Sequence, residues 1–108
     1  MASSDRFERL VASAVGSLPS RLAVHLAGVR VMIEDVPPAR PRGSEAEVPL
    51  CRYDRDDSPP DRLVLYRRPI EARAISHHDL VDLVRQTLSQ QIARQIGTDE
   101  DLEGFGGD

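Results

Sequence analysis

Gln90, Gln91 and Arg94 stand at i, i+1 and i+4 of a segment that reads as helix, and Gly97 and Glu100 follow at i+7 and i+10. With His at the first and third positions and Glu at the second, that HExxHxxGxxD frame builds a zinc site. Two imidazoles one helical turn apart hold the metal, and the carboxylate between them takes a proton from the bound water. The residue types that would do this chemistry are missing here. A Gln amide is a poor zinc ligand, Arg94 brings a fixed positive charge to a metal position, and Gln91 cannot accept a proton as a carboxylate does. Gly97, Glu100 and the hydrophobic spacing on either side keep the frame. Gln90, Gln91, Arg94 and Glu100 are therefore relic positions, and no metal, cofactor or catalytic residue is expected at them. A salt bridge between Arg94 and Glu100 could take the place of metal ligation. The alternative leaves Arg94 reaching to water and Glu100 in an acidic tail.

Other residues offer less. His77 and His78 are sequence neighbours on a helix, so they point in different directions and share no ligand face. His25 sits between Val24 and Leu26 on a short helix, where a surface or half-buried structural role fits. Cys51 has no base adjacent in sequence, and a thiol nucleophile needs one in space. No Ser/His/Asp order, phosphate-binding glycine loop or paired CxxC is present.

Composition bounds the classes. A chain of 108 residues with 40% hydrophobic content encloses one modest core. Its net charge of -4 gives no general attraction to nucleic acid or to an anionic membrane, so neither is expected as a partner. All 14 basic residues are Arg, which reads as a genome preference. A single Cys excludes an internal disulfide, no basic stretch followed by an apolar one opens the sequence, and no apolar run approaches the roughly 20 residues of a membrane span. A cytoplasmic location is the expectation.

The elements that would position the relic residues are legible in outline. Phe7, Leu10, Val11, Ala14, Val15 and Leu18 recur at helical spacing, predicting a helix from about Arg6 to Ser17 with Ser4 or Asp5 as cap. Pro19 can open a second, short helix that Gly28 closes. Val29, Val31 and Ile33 alternate with Arg30, Met32 and Glu34 as in a half-buried strand. A Pro-rich loop at about 37–60 follows, within which only Val48 to Tyr53 could form an edge strand or pin the loop. Leu63 to Tyr66 suits a buried strand, and Pro69 starts a helical turn through about Ala74. Ser76 and Asp79 read as a capping box for a long helix from His77 to about Ile96. On that helix Leu80, Val81, Val84, Leu88 and Ile92 share one arc, with Asp79, Asp82, Gln86 and Gln90 opposite. Gln91 projects toward the apolar arc and Arg94 toward its flank. Residues 98–108 read as an acidic, flexible tail around Leu102 and Phe105, in which a short helix can form before a frayed end at Gly104-Phe105-Gly106-Gly107.

Beyond the relic motif, Phe7-Glu8-Arg9-Leu10-Val11 through Ser17-Leu18-Pro19, Val29 to Pro38, and Asp61-Arg62-Leu63-Val64-Leu65-Tyr66-Arg67-Arg68-Pro69-Ile70-Glu71 occur in the order found in the small bacterial zincin-like metallopeptidases. The chain resembles a member of that family with a degenerate HExxH motif, over nearly its whole length. The resemblance implies a single α+β domain of minimal zincin-like fold over 1–108, a small mixed sheet packed on an N-terminal helix and a long former active-site helix. It also implies that Val48 to Tyr53 borders a substrate groove, although the match there is weak. Two functions follow. One is a non-catalytic domain that binds a protein or peptide at the relic groove through Tyr66, Gln90, Gln91 and Arg94. The other is an active metal-dependent peptidase with relocated ligands drawn from His77, His78 and Glu100. Loss of all three central motif residues favours the first, since a fold alone is weak evidence for a reaction.

Overall fold

A computed structural model of the chain describes the backbone of residues 2–38, 48–55 and 60–107, and the side chains of 5–38, 48–55 and 60–97. Helix α1 (Ala2–Gly16) is followed by the short α2 (Ser20–Ala23) and a 3₁₀ turn (Val24–Leu26). Strands β1 (Val29–Glu34), β2 (Cys51–Asp54) and β3 (Asp61–Tyr66) come next, then α3 (Arg67–Arg73) and the 31-residue α4 (His77–Gly107).

The strands make one mixed sheet in the order β1-β3-β2. β1 runs parallel to β3 with Val31 opposite Leu63 and Ile33 opposite Leu65, while β2 runs antiparallel to it with Cys51 opposite Leu65 and Tyr53 opposite Leu63. Because side chains alternate along a strand, this register collects Val29, Val31, Ile33, Leu63, Leu65, Cys51 and Tyr53 on one face. Both α1 and α4 pack on that face. The core joins Phe7, Leu10, Val11 and Ala14 of α1 to Leu63 and Leu65 of the sheet, Ile70 of α3, and Val84, Leu88 and Ile92 of α4. The fold is the α+β arrangement expected from the sequence, with the continuous apolar run of β3 explained by its central place: Leu63, Val64, Leu65 and Tyr66 are all buried.

Several boundaries differ from the expected ones for local reasons. α1 begins at Ala2, since nothing in residues 2–5 breaks a helix and Asp5 in the first turn suits its dipole. Proline at 49 lacks the N–H a ladder needs, so β2 starts only at Cys51, with the carbonyl of Leu50 accepting from the Tyr66 amide at 2.9 Å. α3 starts at Arg67 and takes Pro69 into its first turn, where a missing N–H costs nothing. The capping box at α4 forms with a one-residue offset: the Asp79 amide donates to Ser76 Oγ at 3.1 Å, and the Asp79 carboxylate accepts from the Ile75 amide at 2.9 Å.

The largest difference is at the end of α4, which runs through Gly97 to Gly107 where a helix end and tail were expected. Gly97 is thus an interior helical glycine, and a Cβ built there meets nothing within 4 Å. Gly97→Ala should therefore stabilise the protein by about 0.5–1 kcal/mol, from the entropy a glycine loses in a helix. Urea unfolding checks this, and a destabilised variant would mean that the chain turns at Gly97 instead.

Candidate functional site

The relic residues lie on the stretch of α4 that passes beneath the outer strand β2. Beside the apolar row of Val84, Leu88 and Ile92 runs a polar row, Thr87, Gln91 and Gln95, again one helical turn apart. Each member is satisfied. Thr87, 7% exposed, donates its hydroxyl to the Leu83 carbonyl at 2.7 Å. Gln91, 9% exposed, accepts from the Cys51 thiol, Sγ to Oε1 3.6 Å. Gln95 accepts from Arg55 Nη2 at 2.9 Å. Two side chains from the β2 side therefore lace the strand to consecutive turns of α4, and the middle relic position is one of the anchors.

Burial pushes the Cys51 thiol above its ordinary pKa, with the charge of Arg94 acting in the opposite, weaker sense. The thiol stays protonated and able to donate to Gln91, which is the state this contact needs.

Gln90 and Arg94, at the places where the HExxH frame has its histidines, are both exposed on the outer flank of the same helix. These three side chains do not fit zinc. Two are neutral amides, one of them already accepting from a thiol, and the third is a cation. No buried side-chain nitrogen or oxygen among the described residues lacks a hydrogen-bond partner, and among them no group of three His, Cys, Asp or Glu is placed to hold a metal ion. Because α4 continues past Gly97, Glu100 lies ten residues, about 15 Å along the helix axis, beyond Gln90. The Glu100 side chain, and with it the expected Arg94 salt bridge, lies outside the described residues.

Tyr66 is not brought to this groove. It alternates with Leu65, so it faces the other side of the sheet, where its hydroxyl accepts from Arg52 Nη1 at 2.6 Å. Arg52 is in turn held by Asp54 at 3.0 Å. Burial raises the Tyr66 phenol above its usual pKa, and the neighbouring Arg52 opposes the shift. Val48 is exposed at the edge of the described strand region, while Cys51 hydrogen-bonds to α4 and Tyr53 lies beside its Ile92 and Gln95. His77 and His78 are both exposed at the start of α4, and His78 Nε2 lies 3.5 Å from Asp82. They are 23 and 22 residues before Glu100 on one helix, more than about 30 Å away, a span no single metal ion bridges. His25 is exposed beside a small hollow with Tyr53, Ile92 and Gln95.

Arg55 is the residue that a reading of the sequence passes over, and Cys51 is weighed there only as a nucleophile and not as a link to α4. The period-2 pattern of Cys51, Arg52, Tyr53 and Asp54 does signal that Cys51 and Tyr53 share a face, but not which helix turn that face meets.

A long helix packed under an edge strand of a small mixed sheet is the arrangement of a minimal zincin fold. The zincin-like metallopeptidase family model matches residues 26–105, and the chain belongs to that family. No curated protein matches the sequence. Among the described residues no helix is long and apolar enough to cross a membrane.

Proposed function

We propose that this chain is a non-catalytic zincin-like domain, a pseudo-metallopeptidase that binds an extended protein or peptide segment at the relic groove between β2 and α4. The observation that carries the reading is the contact between Gln91 and Cys51. The residue at the general-base position is neutral and accepts a thiol hydrogen bond, so it joins helix to strand and is not poised over a reacting carbonyl. The flanking positions supply an amide and a guanidinium, which suit hydrogen bonding to a peptide backbone or carboxylate better than ligation of a metal. β2 is one of the two edge strands of the sheet among the described residues, the one that lies over α4, and an edge strand can add an extended segment by backbone pairing without any metal. Gln90 and Arg94 would then contact the added segment from below.

One experiment separates binding from catalysis. Protein purified without chelator is assayed for metal, then incubated with a pool of unstructured peptides that is analysed by mass spectrometry for new termini and for retained species. The expected result is zinc well below one per chain, no new termini, and a retained subset that a Gln90→Glu, Arg94→Glu variant of unchanged melting temperature no longer holds. One zinc per chain, lost in Gln90→Ala together with peptide cleavage, would overturn the non-catalytic reading. Equal retention by wild type and variant would move the binding site elsewhere.

A further inference from the structure

Where α1 lies against the first half of α4, the surface dips into a hollow of about 450 Å³. Leu10 and Val81 give it an apolar floor, and Arg6, Arg9, Arg85 and His77 line its rim. No carboxylate lines it, although acidic residues outnumber basic ones 18 to 14 in the whole chain. Arg6, Arg9 and Arg85 make no hydrogen bond or ion pair among the described residues, as is also true of the exposed Arg21, Arg30 and Arg68, but these three alone meet at one concave spot. Clustered cations that repel one another with no internal counter-ion are poorly explained by folding, and in a concave setting they focus a positive potential on one spot.

The spacing limits what fits. Arg6 and Arg9 are i, i+3 neighbours on α1, with Cβ atoms about 5–6 Å apart. His77 and Arg85 are eight residues apart on α4, about 12 Å along its axis. These side chains thus line a slot longer than a single phosphate, and guanidinium forks grip phosphoryl oxygens in pairs. A second hollow of about 360 Å³ adjoins the first and shares Arg6, Leu10 and His77, leaving room for the rest of a small molecule. Its one carboxylate, Glu71, is already engaged by Arg67 at 2.9 Å.

We propose that the α1/α4 hollow binds a small molecule carrying a chain of two or more phosphoryl groups, at a site separate from the relic groove. Arg6, Arg9 and Arg85 grip the phosphoryl oxygens, His77 contributes a further polar contact, and the apolar floor excludes water beneath them.

Calorimetric titration of the full chain with tripolyphosphate at low and at physiological salt tests this, with inorganic phosphate as the short probe. The expected result is saturable one-site binding of tripolyphosphate, weaker binding of inorganic phosphate, and loss of about tenfold or more in affinity in an Arg9→Gln, Arg85→Gln variant. An Arg21→Gln, Arg30→Gln variant, which removes equal charge from exposed positions outside the hollow, should bind as wild type does. All four substitutions are on exposed side chains, and matched melting temperatures confirm that the variants are folded. Absence of saturable binding, or equal weakening by the two variants, would overturn the site. Tighter binding of a short single-stranded oligonucleotide than of tripolyphosphate would replace the small-molecule ligand by a nucleic acid and overturn the proposal in that form.

Discussion

Leu88→Ala should lower folding stability by about 2–5 kcal/mol, while a chelator should leave the melting temperature of the wild type unchanged. Leu88 is fully buried at the centre of the row that α4 presents to the sheet, with Val84 a turn before it and Ile92 a turn after. Truncating it removes the transfer energy of three carbons and leaves a void among Leu63, Leu65 and α1, which relaxes only in part because both sides are tightly packed secondary structure. Ile92→Ala belongs in the same range, toward its lower end, since Ile92 keeps 4% exposure near the end of the sheet. The chelator arm rests on the donors at the relic positions: Gln91 already serves Cys51, so helix and strand are joined by a protein hydrogen bond where a metal would otherwise contribute. Urea unfolding of the two variants, and thermal melts of the wild type with and without chelator, check both halves. A negligible loss at Leu88 and Ile92 would mean that α4 presents a different face, and a drop in melting temperature with chelator would mean that a metal is part of the folded state.

The parts of this fold that could be read from the sequence are those fixed by short-range pattern. Leu80, Val84, Leu88 and Ile92 fall on one arc by helical geometry alone, and Val29, Val31 and Ile33 alternate as one face of a strand whatever lies opposite. What could not be read depends on contacts distant in sequence. Cys51 and Gln91 are 40 residues apart, and their meeting requires the β2–β3 register to set Cys51 opposite Leu65 on the helix-facing side. Nothing local to Val48-Pro49-Leu50-Cys51 encodes that register. The end of α4 failed to show for a different reason: Gly97 is a common stop signal, but in a sequence with no proline after it the cost of one interior glycine is too small to end a helix by itself. The family resemblance implies Tyr66 at the groove, whereas strand alternation puts Leu65 toward the helix and Tyr66 away from it. A run that is buried on both faces carries no hydrophobic signal of which face is which.

That last point makes Tyr66 the residue whose replacement discriminates most sharply between a structural and a binding role. Tyr66→Ala should cost about 3–5 kcal/mol, as truncation of a large buried aromatic does. Its side chain is 1% exposed on the central strand, opposite Glu34 of β1 and beside Arg52 of β2. Removing the ring opens a cavity between the two outer strands and strips the hydroxyl that accepts from Arg52. Tyr66→Phe should be far milder, about 0.5–1.5 kcal/mol. It keeps the ring, including the Arg52 guanidinium 5.8 Å from its centroid, and Arg52 retains Asp54 and access to water in place of the lost hydroxyl. Unfolding curves for the two variants, set beside their retention of the peptide pool, give the answer. A large loss of stability in the alanine variant with normal peptide retention in the phenylalanine variant is the expected pair of results. Unchanged stability in Tyr66→Ala, together with lost peptide retention, would instead place this ring in the binding surface and require the outer face of the sheet, with Arg52 and Glu34, to be the groove.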